Sequence, residues 1–305
     1  MEHHLTTYIT HDTLISALGF GTQENLEAIR SYHSGITLQT DKRIADTPLL
    51  AATLSQDRLQ RQAEAMGVSG YPRMEQLFIL TINELIRQSG QTLEDKTCGL
   101  ILSTTKGNID LLARHTEHPD EAVFLWKMAE NIAGYFHAEK RVHLISNACI
   151  SGVSALIAGK RMIENGIYRR VIVAGGDLLS HFITSGFGSF RSLSSRPCRP
   201  YDSSRDGLNL GEACGAVLLS TEKTPDSIIL SGGAVSNDAN HISGPSRTGD
   251  GLYFAIRQAM QEAETAPQDI SFVNAHGTAT VYNDEMESKA LTLAHLEQVP
   301  VHSLK

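Results

Sequence analysis

From residue 141 onward the sequence alternates two periodicities, and that alternation constrains the fold more than any other feature of the chain. VHLISNA (142–148), RVIVAGG (170–176), ACGAVLLS (213–220), SIILSGG (227–233), SFVNA (271–275) and PVHSL (300–304) are short apolar runs of strand length. Between the first two, Val153, Leu156, Ile157, Met162 and Ile163 recur at helical spacing up to a stop at Asn165–Gly166. Further helical stretches cover about 250–264 and 284–297. Continuous apolar runs suit strands covered on both faces, so the alternation predicts an α/β fold with a largely parallel sheet. Upstream, a short helix follows Thr22 and ends by Gly35, and residues 42–72 read as loop around Pro48 and Gly70–Tyr71–Pro72. Met74 to Gly90 is helical, CGLILS (98–103) is a buried strand, and a helix covers roughly 120–135.

Length and composition remove several function classes. The 305 residues allow one large domain or two packed halves, at about 100–200 residues per domain. With 41% hydrophobic and 20% charged residues the chain is not of the disordered kind. Its net charge of −8 makes it a poor partner for nucleic acid, whose binding requires neutralised phosphates. No apolar run reaches the length that spans a membrane, and the amino terminus has neither the basic start nor the apolar stretch of a secretory signal. Cys98, Cys149, Cys198 and Cys214 form no C-x-x-C pair and no zinc spacing, which predicts a cytoplasmic protein without a metal site. The phosphate-binding glycine motifs and H-E-x-x-H are absent.

Some residues invite chemistry. Cys149 sits where a buried strand meets a helix, and a thiol there feels the positive end of the helix dipole and free backbone N–H groups. The same groups suit an oxyanion. His276, in NAHGTAT, follows a strand in a comparable way, with Asp284 and Glu287 beyond it at i, i+3 on one helical face. Asn147–Ala148–Cys149 and Asn274–Ala275–His276 form a faint repeat, which predicts two copies of one βα unit. Lys305 ends the run after the His276 helix. Arg199, Asp202, Arg205, Asp206 and Glu212 make either a buried ion network or a solvated loop.

SNACISG (146–152), RVIVAGGD (170–177), FRSLSSRPCRPYDSSRDGLNLGEACGAVLLS (190–220), NAHGTATVYNDEMES (274–288) and STTKGN (103–108) together resemble a β-ketoacyl-acyl-carrier-protein synthase. The resemblance covers most of the chain. It implies a thiolase-like layered α/β fold of two similar βαβαβαββ halves, here divided as 1–225 and 226–305, the second half incomplete. It also implies a decarboxylative Claisen condensation in fatty-acid or polyketide biosynthesis. Cys149 matches the family's nucleophile, His276 the first of its two histidines, and Lys305 its lysine, supported by Asp284 and Glu287. The family's second histidine would lie beyond Lys305, so the resemblance implies impaired condensation by this chain. Tyr282–Asn283–Asp284 is similar to secondary-metabolite or aryl-polyene type synthases.

No cofactor is implied. The implied partners are an acidic acyl carrier protein, in acyl- and malonyl-loaded forms, and a second synthase chain in a homodimer or heterodimer. Neither nucleic acid nor membrane is among them. Lys127, Arg161, Arg169 and Arg170 are candidates for the basic patch that such a carrier needs near the site. Two alternatives stand beside this reading: a chain-length-type partner subunit, whose class lacks the nucleophile, and a thiolase-like acyltransferase.

Overall fold

The computed structural model describes residues 5–113, 120–138, 141–238 and 244–304. The chain forms two compact units. The first comprises Met1–Thr47, Ala51–Ile183 and Gly211–Leu230, and the second Pro48–Leu50, Thr184–Leu210 and Ser231–Lys305.

The first unit is built on one sheet. Its strands lie in the order Val142–Ile145, Cys98–Ser103, Arg170–Asp177, Ala213–Ser220, Tyr8–Ser16 and Ile228–Ile229, and Gly19–Phe20 folds back on Tyr8–Ser16. The first three are parallel. The others pair antiparallel. The largely parallel sheet expected from the apolar runs is therefore corrected to a mixed one. An apolar run reports cover on both faces and carries no information on strand direction.

Both faces of this sheet are covered, and the residues divide by the period of two expected of a strand. Leu100, Leu102, Ile172 and Ala174 join the core formed with Met74, Leu77, Phe78, Ile82 and Leu85 of the helix Arg73–Ser89 and Met128 and Ile132 of the helix Leu125–Tyr135. Ile101, Val171, Val173 and Leu219 face the other way, against Ala155 and Ile163 of the helix Ser151–Glu164. Arg73–Ser89 stops where the sequence indicates, at Gly90, whose φ of 64° lets its N–H reach the Ile86 carbonyl.

Several elements escape the sequence reading, among them the helix His181–Ser189 and the strands Thr37–Gln39 and Leu49–Ala52, and two more show why. The strand Tyr8–Ser16 carries His11, Asp12 and Thr13, and a register shift between Ile9 and His11 breaks its alternation. The helix Gln56–Ala65, inside the segment expected as loop, buries only Leu59 and Ala63, too few for a visible period.

In the second unit the helices Asp250–Glu262 and Val281–Leu293 accompany a short parallel pair, Val273–Asn274 with Val301–His302. Leu291, Ala294 and Leu296 form its small core with Tyr253, Ile256, Ile270, Val273 and Val299. The repeat between the Cys149 and His276 strands is also corrected. Val273–Asn274 pairs directly with the strand that follows its helix. In the first unit the strand with that property is Cys98–Ser103, which pairs with Val142–Ile145. Val142–Ile145, by contrast, is not paired with Arg170–Asp177, because Cys98–Ser103 lies between them. Each of the equivalent strands is followed by a glycine in the left-handed region, Gly107 (φ 54°) and Gly277 (φ 50°). By strand pairing, the segment that corresponds to NAHGTAT is STTKGN and not SNACISG.

Candidate active site

Cys149 is exposed and occupies the turn between the strand Val142–Ile145 and the helix Ser151–Glu164. The turn is sharp because Ala148 adopts a φ of 46°. For a residue with a Cβ that conformation costs on the order of 1–2 kcal/mol. Buried Ser151 holds it: its hydroxyl donates to the Ala148 carbonyl (2.6 Å) and accepts the Asn147 N–H (2.8 Å). Asn147 in turn donates through Nδ2 to Ser154 Oγ at 3.2 Å. The helix lies tight on the sheet, since a Cβ on Gly159 would sit 2.7 Å from Leu219 Cδ1. The thiol is thus presented at a helix amino terminus by a rigid support. Cys98 and Cys214 are buried, and burial pushes their thiols up to about 11 and about 12.

Beside this turn runs the loop after Cys98–Ser103. Asp177 organises it, accepting the Thr104 hydroxyl (2.8 Å), the Thr105 hydroxyl (2.9 Å) and the Thr105 N–H (3.0 Å). Ser146 Oγ donates to the Thr105 carbonyl at 3.5 Å. The STTKGN motif signalled this loop, although nothing in it points to Asp177.

In the second unit the structure brings His276, Asp284 and Glu287 together. Glu287, on the helix Val281–Leu293, accepts the His276 N–H (2.7 Å) and the Gly277 N–H (2.9 Å). Asp284 accepts the Ala279 N–H at 3.2 Å and the Tyr201 N–H at 2.8 Å, with Arg205 Nε at 3.6 Å. Both acids are buried. They therefore brace the turn that carries His276 and do not float on the helix surface. Gly277 is required there, because a Cβ would lie 2.6 Å from Ser303 Cβ. Tyr201, which the sequence reading passed over, donates its hydroxyl to Glu287 Oε2 at 2.6 Å. Burial first, and then the bond to Glu287, raise the Tyr201 hydroxyl well above its ordinary range, so it remains a donor.

Other expectations need correction or lie elsewhere. Lys305 is outside the described residues. The ions of 199–212 form no single network. Glu212 pairs with Arg73 at 2.7 Å, Asp206 faces Arg196 and Arg199 at 3.6 and 3.7 Å, and Arg205 turns to Asp284. Three of the four candidate docking cations are at the wrong end of the sheet. Arg170 pairs opposite Cys98, at the amino ends of the parallel strands, whereas Cys149 follows their carboxyl ends. At ~3.3 Å per residue, six residues of strand put Arg169 and Arg170 about 20 Å from that end. Arg161 lies in the last turn of the Cys149 helix and pairs with Glu164. Lys127, in the first turn of Leu125–Tyr135, is at the Cys149 end, paired with Glu130. Among the described residues no group of three or more His, Cys, Asp or Glu side chains is placed to hold a metal, and no helix is long and apolar enough to cross a membrane.

Comparison with known proteins covers both parts of the chain. The family model for the beta-ketoacyl synthase N-terminal domain matches residues 24–224, and that for the C-terminal domain matches 228–305. A 3-oxoacyl-(acyl-carrier-protein) synthase 2 from Synechocystis sp. is 32% identical over 177 residues, 52% of this chain and 42% of that protein. A 3-oxoacyl-(acyl-carrier-protein) synthase homolog from Saccharomyces cerevisiae is 31% identical over 176 residues, 55% of this chain and 40% of that protein. The chain thus spans about two fifths of the length of these relatives. Among solved structures, a ketosynthase in complex with its chain length factor from Xenorhabdus doucetiae superposes with a TM-score of 0.83 at 25% identity, covering 98% of this chain and 78% of that one. The ishigamide ketosynthase/chain length factor gives 0.85 at 23% identity, covering 99% and 81%.

Proposed function

The chain belongs to the beta-ketoacyl synthase family, and we propose that it carries the acyl-transfer and condensation chemistry of a decarboxylative Claisen reaction. The observation that carries this reading is Cys149, an exposed thiol held at a helix amino terminus by a left-handed elbow. Its thiolate attacks the carbonyl of an acyl thioester and expels the carrier thiol, leaving the acyl group on sulfur. Malonyl-carrier then loses CO₂. The electron pair of the broken C–C bond forms an enolate, which attacks the acyl-cysteine carbonyl and releases the Cys149 thiolate. In this reading His276 donates a hydrogen bond to the malonyl thioester oxygen as that charge develops. Asp284 and Glu287 hold its turn, and Lys305 takes the place of the family lysine.

The carrier is acidic in this scheme and docks at the carboxyl end of the parallel strands. Lys106, exposed on the STTKGN loop, and Lys127 are two cations of the described residues at that end. A second synthase chain, identical or related, pairs through the first unit. Val142–Ile145 ends the sheet order and offers it an edge.

The test uses an acyl-carrier thioester and intact-mass analysis. The expected result is a one-acyl adduct on Cys149, absent in Cys149→Ala, and CO₂ release from malonyl-carrier that His276→Ala removes. An adduct on another cysteine, or none, overturns the reading. The chain-length-partner alternative has one observation in its favour, the superposition on complexes that contain a chain length factor. It requires Cys149→Ala to leave product formation by a reconstituted pair unchanged.

A further inference from the structure

The strap Arg199–Pro200–Tyr201 reaches the His276 turn from a part of the chain more than seventy residues earlier. It does so with a backbone that a non-glycine residue rarely adopts, since Tyr201 has a φ of 63°. Strain of this kind persists only where surrounding contacts over-determine it. Here both ends of Tyr201 are tied to the acids of one helix. Its N–H donates to Asp284 Oδ2 at 2.8 Å and its hydroxyl donates to Glu287 Oε2 at 2.6 Å. Pro200 packs beside Gly277, within 3.2 Å of where a Cβ would stand. Ser303 Oγ donates to the Gly277 carbonyl at 3.3 Å.

Glu287 has two oxygens and, among the described residues, three donors: His276 N–H on Oε1, and Gly277 N–H and Tyr201 OH on Oε2. The two amides belong to the turn and move with it. The tyrosine hydroxyl is the one of these donors anchored outside the turn, so it sets the rotamer of the carboxylate against an independent reference. We propose that Tyr201 is a positioning residue for His276, acting through Glu287. Its effect on turnover rests on the condensing reading above, whereas its effect on the turn does not.

The experiment compares Tyr201→Phe with the parent chain, since phenylalanine keeps the ring and removes only the oxygen. Two readouts separate the questions. The first is amide hydrogen exchange at His276 and Gly277, which needs no activity; we expect it to rise about tenfold in the variant, with the melting temperature retained. The second is decarboxylation of malonyl-carrier, expected to fall about tenfold in kcat with KM unchanged, as for residues that orient a catalytic group. Exchange and kcat both at parent values would overturn the proposal. Faster exchange in a chain whose parent form releases no CO₂ would uphold the positioning role and overturn the condensing reading. A Tyr201→Phe chain that loses its fold would overturn the proposal as well, by making the hydroxyl a determinant of the whole unit.

Discussion

Among single residues, the cysteines differ most clearly in what they can do. Cys149 is exposed at the end of a turn, while Cys98 and Cys214 lie in the sheet with their thiols pushed up to about 11 and about 12 by burial. At pH 8 those two are roughly 0.1% and 0.01% thiolate, and the thiolate is the nucleophile. Iodoacetamide at pH 8 is therefore expected to modify Cys149 and leave Cys98 and Cys214 intact in the folded chain, as read by peptide mass spectrometry. Labelling of either buried thiol at a comparable rate contradicts the burial argument. A second residue makes a pH signature. Glu75 is buried, and desolvation raises its carboxyl to about 7, against the opposing bonds from Asn108 and Asn131 and the charge of Lys127. A carboxyl raised in the folded state binds its proton more tightly there, so folding is favoured below the unfolded pKa. That contribution is lost as pH climbs from about 4.5 towards about 7. It amounts to about 3 kcal/mol at most. Glu75→Gln keeps an acceptor for both amides and has nothing to titrate. Urea melts should show the parent weakening over this window relative to the variant.

At the scale of elements, Glu212 and Gly159 show how the Cys149 unit is fastened. Glu212, fully enclosed, accepts a forked pair from Arg73 (2.7 and 2.8 Å) and the N–H groups of Leu54 (2.9 Å) and Leu179 (3.1 Å). One carboxylate thus joins the start of Arg73–Ser89 and the segments next to two strands. Glu212→Ala strands the guanidinium and both amides, and we expect it to cost about 3 kcal/mol in denaturant melts, the usual range for breaking a buried pair. Gly159 is where the helix Ser151–Glu164 touches the sheet, with Leu219 Cδ1 at 2.7 Å and Val173 Cγ2 at 3.3 Å from a Cβ. Gly159→Val overpacks that contact and should cost about 2 kcal/mol. A stabilised Gly159→Val would mean that the helix stands off the sheet. Elements with a dense apolar period, such as Arg73–Ser89, were legible in the sequence because many buried residues repeat on one face. Gln56–Ala65 was not, because Leu59 and Ala63 alone mark its inner face.

For the whole molecule, charge and chain path matter more than any one contact. Under the proposed function, a chain with net charge −8 would repel an acidic carrier unless cations were concentrated at a docking surface. The described cation on the STTKGN loop is Lys106, at the carboxyl end of the parallel strands. Lys106→Glu is expected to weaken carrier binding about tenfold, and parent affinity should fall with rising salt as screening shortens the reach of the field. Arg170→Glu, at the other end, should leave binding unchanged. Affinity insensitive to both salt and Lys106 would place the docking surface elsewhere. The path of the chain is the second property of this scale. Residues 184–210 join the unit of the carboxyl-terminal segment, although a twenty-residue segment of the first unit, Gly211–Leu230, follows them. A cut of the sequence at one point therefore cannot reproduce the units.

Read alone, the sequence determined the layered α/β class, the long apolar helices, the strand-to-helix junction at Cys149 and the i, i+3 placement of Asp284 and Glu287. All of these are local periodicities or neighbours in the chain, and local sterics and burial write them directly into residue order. Only the tertiary structure decided the antiparallel course of Ala213–Ser220, the match of the His276 strand with Cys98–Ser103, and the bonds from Tyr201 to acids 83 and 86 residues away. Strand direction and long-range hydrogen bonds leave no period in the sequence. They are settled by which surfaces meet when the chain closes on itself, and one hydroxyl group on Tyr201 has no neighbour in the sequence to announce it.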